Sequence, residues 1–268
     1  MTAATTERRL AALEATISPP PPRRSPVEVA HDLGLELDRW QRDLVLSDWR
    51  QAILNCSRQA GKSTVAGLLA LTTALYAPGS LTLILSPTER QSGLLFKSIA
   101  KSYRALGHPV AADVENRLSL ELSNGSAIHA LPGREETIRG FSAVSLLIVD
   151  EAARVDDALY QSVRPMLAVS GGRILLLSTP FGKRGFYHRE WTEGGDDWRR
   201  TMVTARDVPR IDPAWLEAER AAVGDWVFNQ EYLCQFVETD DQLFPTDLIE
   251  GAVSAEVEPL FAWMERSA

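Results

Sequence analysis

The stretch from Cys56 to Thr64, CSRQAGKST, carries the residue types that hold a polyphosphate. A short apolar run, Ala52-Ile53-Leu54, precedes it, and a helix-forming run, Val65 to Tyr76, follows. In a strand–loop–helix setting, backbone N–H groups and a helix N-terminus face one ligand, and the helix dipole favours negative charge there. Lys62 is placed to reach the β- and γ-phosphates of ATP, and the Ser63 hydroxyl to ligate Mg²⁺. Ser57, Arg58, Gln59, Ala60, Gly61 and Thr64 complete the nucleotide-contacting loop. One position departs from the G-x-x-x-x-G-K-[ST] pattern, because Cys56 stands where the first glycine is expected. A Gly-Lys-Ser triplet in an ordinary loop is the simpler alternative.

Three further clusters bear on the same chemistry. Val144 to Val149 is apolar and Asp150-Glu151 follows at once. A buried strand that ends in Asp can order the hydration shell of Mg²⁺, and the adjacent Glu can polarise an attacking water. Arg173 to Leu177 is another apolar run and ends in Ser178-Thr179-Pro180. At a strand end beside the phosphate loop, Ser178 and Thr179 are placed to sense the γ-phosphate or its loss; punctuation of the strand by proline is the alternative. Upstream of the loop stands Trp40-Gln41. A Gln amide can donate to N7 of adenine and accept from N6, which makes Gln41 a candidate base reader. The competing reading is an amphipathic helix that buries Trp40, Leu44 and Val45.

The elements that must position these residues read as alternating strands and helices. Val27 to Leu33 is a short helix ended by Gly34, and Leu81 to Leu85 is a continuous apolar run that suits a buried parallel strand. Ser86-Pro87-Thr88 opens a helix of about 17 residues reaching Leu106. On it Lys97, Lys101 and Arg104 share one face, which is either a solvated face or a stripe for the DNA backbone. Leu118 to Leu122 and Ala127 to Leu131 flank Asn124-Gly125, a hairpin signal for a sheet edge or an insertion. Asp156-Asp157 caps a helix through Leu167, and Arg199 to Ala205 reads as one more strand. Asp212-Pro213 opens a helix through Val223. A last one, Asp225 to Phe236, carries Phe228, Tyr232 and Phe236 on a stripe facing the core.

Length and composition fit a soluble α/β protein. The chain has 268 residues, 45% hydrophobic and 24% charged. A net charge of −8 argues against the whole chain as a polyanion binder, so nucleic-acid contact must come from a local basic patch. Two cysteines make no disulfide framework, and a cytoplasmic, reducing compartment fits. No Cys/His cluster has zinc-ligand spacing, and no apolar run approaches membrane-spanning length, so no membrane partner is expected. Pro19 to Pro22 forces an extended segment, so residues 1–36 read as an N-terminal arm, with 37–240 as the nucleotide domain.

Taken together, Arg58-Gln59-Ala60-Gly61-Lys62-Ser63, Leu146 to Glu151 followed by Ala152-Ala153, Ser178-Thr179-Pro180, and Phe228-Asn229-Gln230-Glu231-Tyr232 make the sequence resemble the large terminase subunit of tailed bacteriophages. The similarity runs from about Leu37 to Leu248, and the Arg-Gln-x-Gly-Lys-Ser form without a leading glycine belongs to that group, so Cys56 supports the resemblance. It implies an α/β fold, a P-loop NTPase of the ASCE type with a mainly parallel sheet, a hairpin insertion and a small helical lid at about 205–240. It implies an ATPase motor that moves double-stranded DNA into a viral capsid in the bacterial host cytoplasm, transiently on the procapsid. Lys62 and Ser63 then bind phosphate and Mg²⁺, Arg58 lies near the γ-phosphate, Asp150 orders the metal, Glu151 activates water and Ser178-Thr179-Pro180 couples hydrolysis to movement.

The resemblance also implies assembly into a ring, pentameric on the portal protein, with a small terminase subunit as partner. In such a ring an arginine enters the neighbour's site. Arg139, in the polar loop before the Asp150 strand, is the first choice and Arg134 the second; a surface arginine paired with Glu135 or Glu136 is the alternative. Members usually carry a C-terminal RNase H-like nuclease domain, and residues 241–268 read as a linker toward one that this chain lacks; Asp240, Asp241 and Asp247 have no strand context for a metal site. Two other functions compete: a helicase or recombination translocase of the same ATPase class, and a nucleotide switch without processive movement.

Overall fold

Apolar runs of five or six residues form strands here because both of their faces are covered. In the computed structural model, which describes residues 22–132, 138, 140–238 and 251–252, the elements run in the following order. Helices α1 (Pro26–Asp32) and α2 (Arg39–Leu46) precede strand β1 (Gln51–Cys56). Then come α3 (Lys62–Tyr76), β2 (Leu81–Ser86), α4 (Glu89–Ala105), β3 (Ala112–Glu115), β4 (Ser119–Leu122), β5 (Ala127–Pro132) and β6 (Leu146–Asp150). The rest is α5 (Asp157–Val163), β7 (Arg173–Ser178), α6 (Gly185–Thr192), β8 (Trp198–Val203) and α7 (Pro213–Glu231).

The strands make one sheet in the order β3-β4-β5-β2-β6-β7-β1-β8. It is parallel from β5 to β8, and the hairpin β4–β5 with β3 adds an antiparallel edge. Alternation divides β1. Ala52, Leu54 and Cys56 join a core with Val29 of α1, Leu44 of α2, Leu69 of α3 and Phe96 of α4. Ile53 faces the opposite core, with Tyr160 of α5 and Phe186 of α6. The sheet is thus covered by helices on both sides, and α3 is apolar around most of its circumference because it lies beneath α1 and α4. Among the described residues no helix is long and apolar enough to cross a membrane.

Several elements differ from expectation. The helix begun at Asp157 ends at Val163, and Arg164–Leu167 is a 3₁₀ turn, because Pro165 lacks the N–H that would bond back to Gln161. The two C-terminal helices meet at Gly224, whose φ of 80° and ψ of 160° break the helical path. The second stops at Glu231, not Phe236, and Cys234 at φ 59° turns the chain. The aromatic stripe therefore divides. Phe228 is buried with Ala205 and Leu216 and Tyr232 packs beside them, while Phe236 packs edge-on to His188 at 4.8 Å between ring centroids. Strand β3 and helix α6 had no sequence signal. All four residues of β3 are exposed, so it lacks apolar alternation. The arm before residue 22, Arg134, Arg139, and Asp240, Asp241 and Asp247 lie outside the described residues.

Candidate active site

β1 delivers the phosphate loop. Cys56 still pairs with Val203 of β8 and is fully buried, and burial pushes its thiol up to about 12. Ser57 N then donates to Val203 O at 2.9 Å. The chain turns further on, at Gln59 (φ 60°) and Gly61 (φ 89°). The left-handed conformation that needs glycine thus falls on residue 61, and the strand conformation at Cys56 accepts any side chain. α3 begins at Lys62, so its unpaired first-turn N–H groups open onto the loop.

Parallel pairing brings the C-terminal ends of β1, β7 and β6 to this loop. Lys62, 8% exposed, donates from Nζ to Thr179 Oγ1 at 3.3 Å and stands 3.7 Å from Glu151 Oε1. Glu151 takes the left-handed region (φ 51°, ψ 42°), a costly conformation for a non-glycine residue that aims its carboxylate at the lysine. Ser178 Oγ lies 2.7 Å from Thr179 O and 3.4 Å from Glu151 Oε2. Asp150 is buried at the end of β6, and burial, with the adjacent Glu151 charge, lifts its carboxyl to about 6 against the pull of Lys62.

A hard cation fits the donors present. Mg²⁺ keeps several waters and takes one or two protein oxygens besides phosphate. Asp150 and the exposed Ser63 hydroxyl supply such a set, and among the described residues no group of three or more His, Cys, Asp or Glu forms a cage. Register places Ser86 of β2 beside Asp150, one residue past the Leu85–Val149 pair, and its buried hydroxyl has no partner among the described residues.

The other predicted residues divide. Gln41 is buried against the loop, but both ends of its amide are engaged there: Nε2 donates to Gly61 O at 3.0 Å and Oε1 accepts from Asp38 N at 2.8 Å. In this structure it braces the loop, and it also lines the cleft that opens there. Beside it opens a cleft of about 1330 Å³ bordered by Leu35, Asp38, Lys62, Ser63 and Arg210. Ala60 is buried under the loop, and Gln59 and Thr64 are exposed on it. Arg58 extends to Glu231 at the end of α7, 2.5 Å from Nε to Oε2. On α4, Lys97 and Lys101 face solvent, whereas Arg104 donates to Glu115 of β3 at 2.7 Å and is not free as the stripe reading required.

Sequence reasoning gave no role to Arg154, Glu231, Arg210 or Tyr187. Arg154 Nη1 lies 3.3 Å from Glu151 Oε2, and its Nη2 lies 3.6 Å from Glu231 Oε1. Arg210 clasps Asp38 through two bonds of 2.8 and 2.9 Å. The fully buried Tyr187 hydroxyl lies 2.7 Å from Leu54 O and 3.3 Å from Ser178 O, tying the ends of β1 and β7. Only Arg154 had a local signal, since a cation three residues after Glu151 can turn back toward it.

A phosphate loop on β1, an acidic pair on β6 and an intervening β7 whose hydroxyls reach the loop lysine define a P-loop NTPase of the ASCE type. Residues 53–250 match the family model described as terminase large subunit, T4likevirus-type, N-terminal, and the chain belongs to that family. The terminase large subunit of Escherichia phage T5 is 28% identical over 196 residues, 71% of this chain and 44% of that one. The large terminase ATPase domain of Thermus phage P74-26 superposes with a TM-score of 0.69 at 24% identity, over 78% of this chain and 97% of that one. The large terminase of a thermophilic bacteriophage, solved in complex with ADP, gives a TM-score of 0.63 at 14% identity, over 80% of this chain and 54% of that one. The chain spans about half the length of the curated relatives it matches.

Proposed function

We propose that the chain is the motor domain of a phage terminase large subunit, hydrolysing ATP to move double-stranded DNA into a capsid. The observation that carries this reading is Glu151, held in a left-handed conformation 3.7 Å from the loop lysine at the mouth of the loop. Lys62 and the N–H groups of the loop and of the first turn of α3 hold the β- and γ-phosphates. Glu151 orients and polarises the attacking water. Asp150 and Ser63 hold Mg²⁺, which when bound neutralises phosphate charge. Thr179 shares Lys62 with the γ-phosphate, so loss of that phosphate changes the hydrogen bonding at the end of β7.

In the same reading Arg139, or else Arg134, reaches a neighbouring subunit's site, and subunits assemble as a ring, a pentamer on the portal, with the small terminase subunit as partner. The protein then works in the bacterial host cytoplasm and transiently on the procapsid. Residues 37–240 act as the motor, 205–240 as its lid, 1–36 as an arm and 241–268 as a linker toward a nuclease domain.

ATP turnover measured with and without double-stranded DNA tests the chemistry. Lys62→Ala should lose nucleotide binding. Glu151→Gln should bind normally and turn over about 10²–10⁴ times more slowly, the usual contribution of a positioned base. Parental turnover in Glu151→Gln would assign the water to another group. Packaging into empty capsid shells separates this motor from a helicase, and repeated turnover separates it from a switch.

A further inference from the structure

Four contacts join the phosphate loop to the last residue of α7. Lys62 meets Glu151 at 3.7 Å, Glu151 meets Arg154 at 3.3 Å, Arg154 meets Glu231 at 3.6 Å, and Glu231 meets Arg58 at 2.5 Å. Each glutamate uses its two oxygens on two different cations, and the path starts and ends in the same loop. Arg154 is kept between the two carboxylates by the Phe181 ring, 4.5 Å below its guanidinium. The backbone repeats the connection, since Arg58 N donates to Glu231 O at 3.4 Å. Glu231 is a poor residue for helix stability at this place. It puts a carboxylate on the negative end of α7, with its side chain only 12% exposed, so it depends on the two arginines.

The charges explain what such a residue can do. Three cations face two glutamates, so the group is poised to receive an anion. A polyphosphate entering the loop competes with Glu231 for Arg58, which is the most exposed member, at 64%. Once Arg58 leaves, Arg154 is the one cation left on Glu231 among the described residues, and Arg154 is shared with Glu151.

We propose that Glu231 is a positioning residue that reports occupancy of the phosphate loop to α7. Polyphosphate draws Arg58 away, Arg154 shifts toward Glu231 and releases one oxygen of Glu151, and the end of α7 loosens from the loop. The assignment rests on the nucleotide reading above and adds to it the direction in which the signal travels.

The test uses the full chain and Glu231→Gln, with ATPγS as the probe. Wild type should show faster amide exchange over residues 225–235 when ATPγS is added. In Glu231→Gln that exchange should already be fast without nucleotide and should not respond to it. The variant should bind ATPγS about two- to fivefold more tightly, the release of one half-exposed ion pair, and turn over more slowly because Arg154 stays on Glu151. KM and kcat thus both fall, which a purely structural defect would not produce. A variant with parental affinity and a parental exchange response would overturn the proposal. Should Glu231→Gln fail to fold by circular dichroism, Glu231→Asp, which keeps the charge but shortens its reach, is expected to show the same changes at smaller size, and parental behaviour there overturns it equally. Failure of the underlying reading is distinguishable, since wild type itself would then not bind ATPγS.

Discussion

Asp150 makes the site costly to the fold in the absence of a cation. Lifting a carboxyl from its ordinary 3.8 to about 6 corresponds to about 3 kcal/mol against the ionised form, at about 1.36 kcal/mol per pH unit. The folded state holds this proton more tightly than the unfolded chain does. Stability therefore falls as pH rises from about 4 to about 6, and the cost is complete above that window. Asp150→Asn removes the charge, and its amide oxygen can still accept the 3.1 Å bond from Glu151 N. The variant should be more stable than wild type by about 2–3 kcal/mol at pH 8, or about 4–10 °C in Tm for a body of this size. The gain should vanish at pH 4, where wild type is also neutral at this position. Thermal melts at both pH values measure it. With Mg²⁺ and ATPγS the order should reverse, because only wild type gains from the metal-bound nucleotide. An equal gain at pH 4 and pH 8, or no gain at either, would refute burial of the Asp150 charge as the cause.

Further substitutions examine the loop and α4. Gly61→Ala forces alanine into φ 89° and puts its Cβ 2.6 Å from Gln41 Nε2, so it should cost about 2–3 kcal/mol and weaken nucleotide binding more than about tenfold. Adding Gln41→Ala should recover part of that stability, and strict additivity in urea melts would show that the clash is not responsible. On α4, Lys97→Gln with Lys101→Gln should lower the salt slope of DNA binding by about 2, whereas Arg104→Gln should leave it unchanged because its guanidinium is engaged with Glu115. An unchanged slope in the lysine pair would make this an ordinary solvated face.

What could be read from the sequence was what local chemistry dictates. Continuous apolar runs located β1, β2, β6 and β7, because strands covered on both faces need no alternation, whereas β8, an edge strand with two arginines, carried no such run. The hairpin at Asn124-Gly125 followed from a left-handed glycine, here at φ 80°. Lys62, Asp150, Glu151, Ser178 and Thr179 come together because they sit at the same end of adjacent parallel strands or on the loop that follows one. β3 escaped because it pairs through its backbone while exposing every side chain. The break at Gly224 was anticipated as a boundary between two helices, but the second was extended five residues too far, to Phe236. An aromatic spacing that suits a helix also suits a chain that turns at Cys234 and packs Phe236 on a different core. Gln41 shows the limit for single residues. Its amide chemistry suits adenine and a backbone carbonyl equally, and the contact it makes here, to Gly61 O, depends on the tertiary fold.

Contacts between residues distant in sequence bear on how a loop without its first glycine keeps its shape. Besides the contacts of Lys62 with Glu151 and Thr179, long-range contacts among the described residues hold this loop: Gln41 on Gly61 O from α2, Val203 O on Ser57 N from β8, and Glu231 on Arg58 from α7. None can be inferred from the Cys56 to Thr64 stretch alone, because each partner is far away in sequence. Cys56 costs the loop nothing, since the backbone there continues the strand, paired with Val203, and the turn is taken at Gln59 and Gly61. The shape that a glycine-rich loop reaches through backbone freedom is here set by surrounding clamps. Any displacement of the loop must therefore strain or release contacts to α2, β8 and α7 together. With β6 and β7, which Lys62 meets through Glu151 and Thr179, those are the elements in direct contact with the loop.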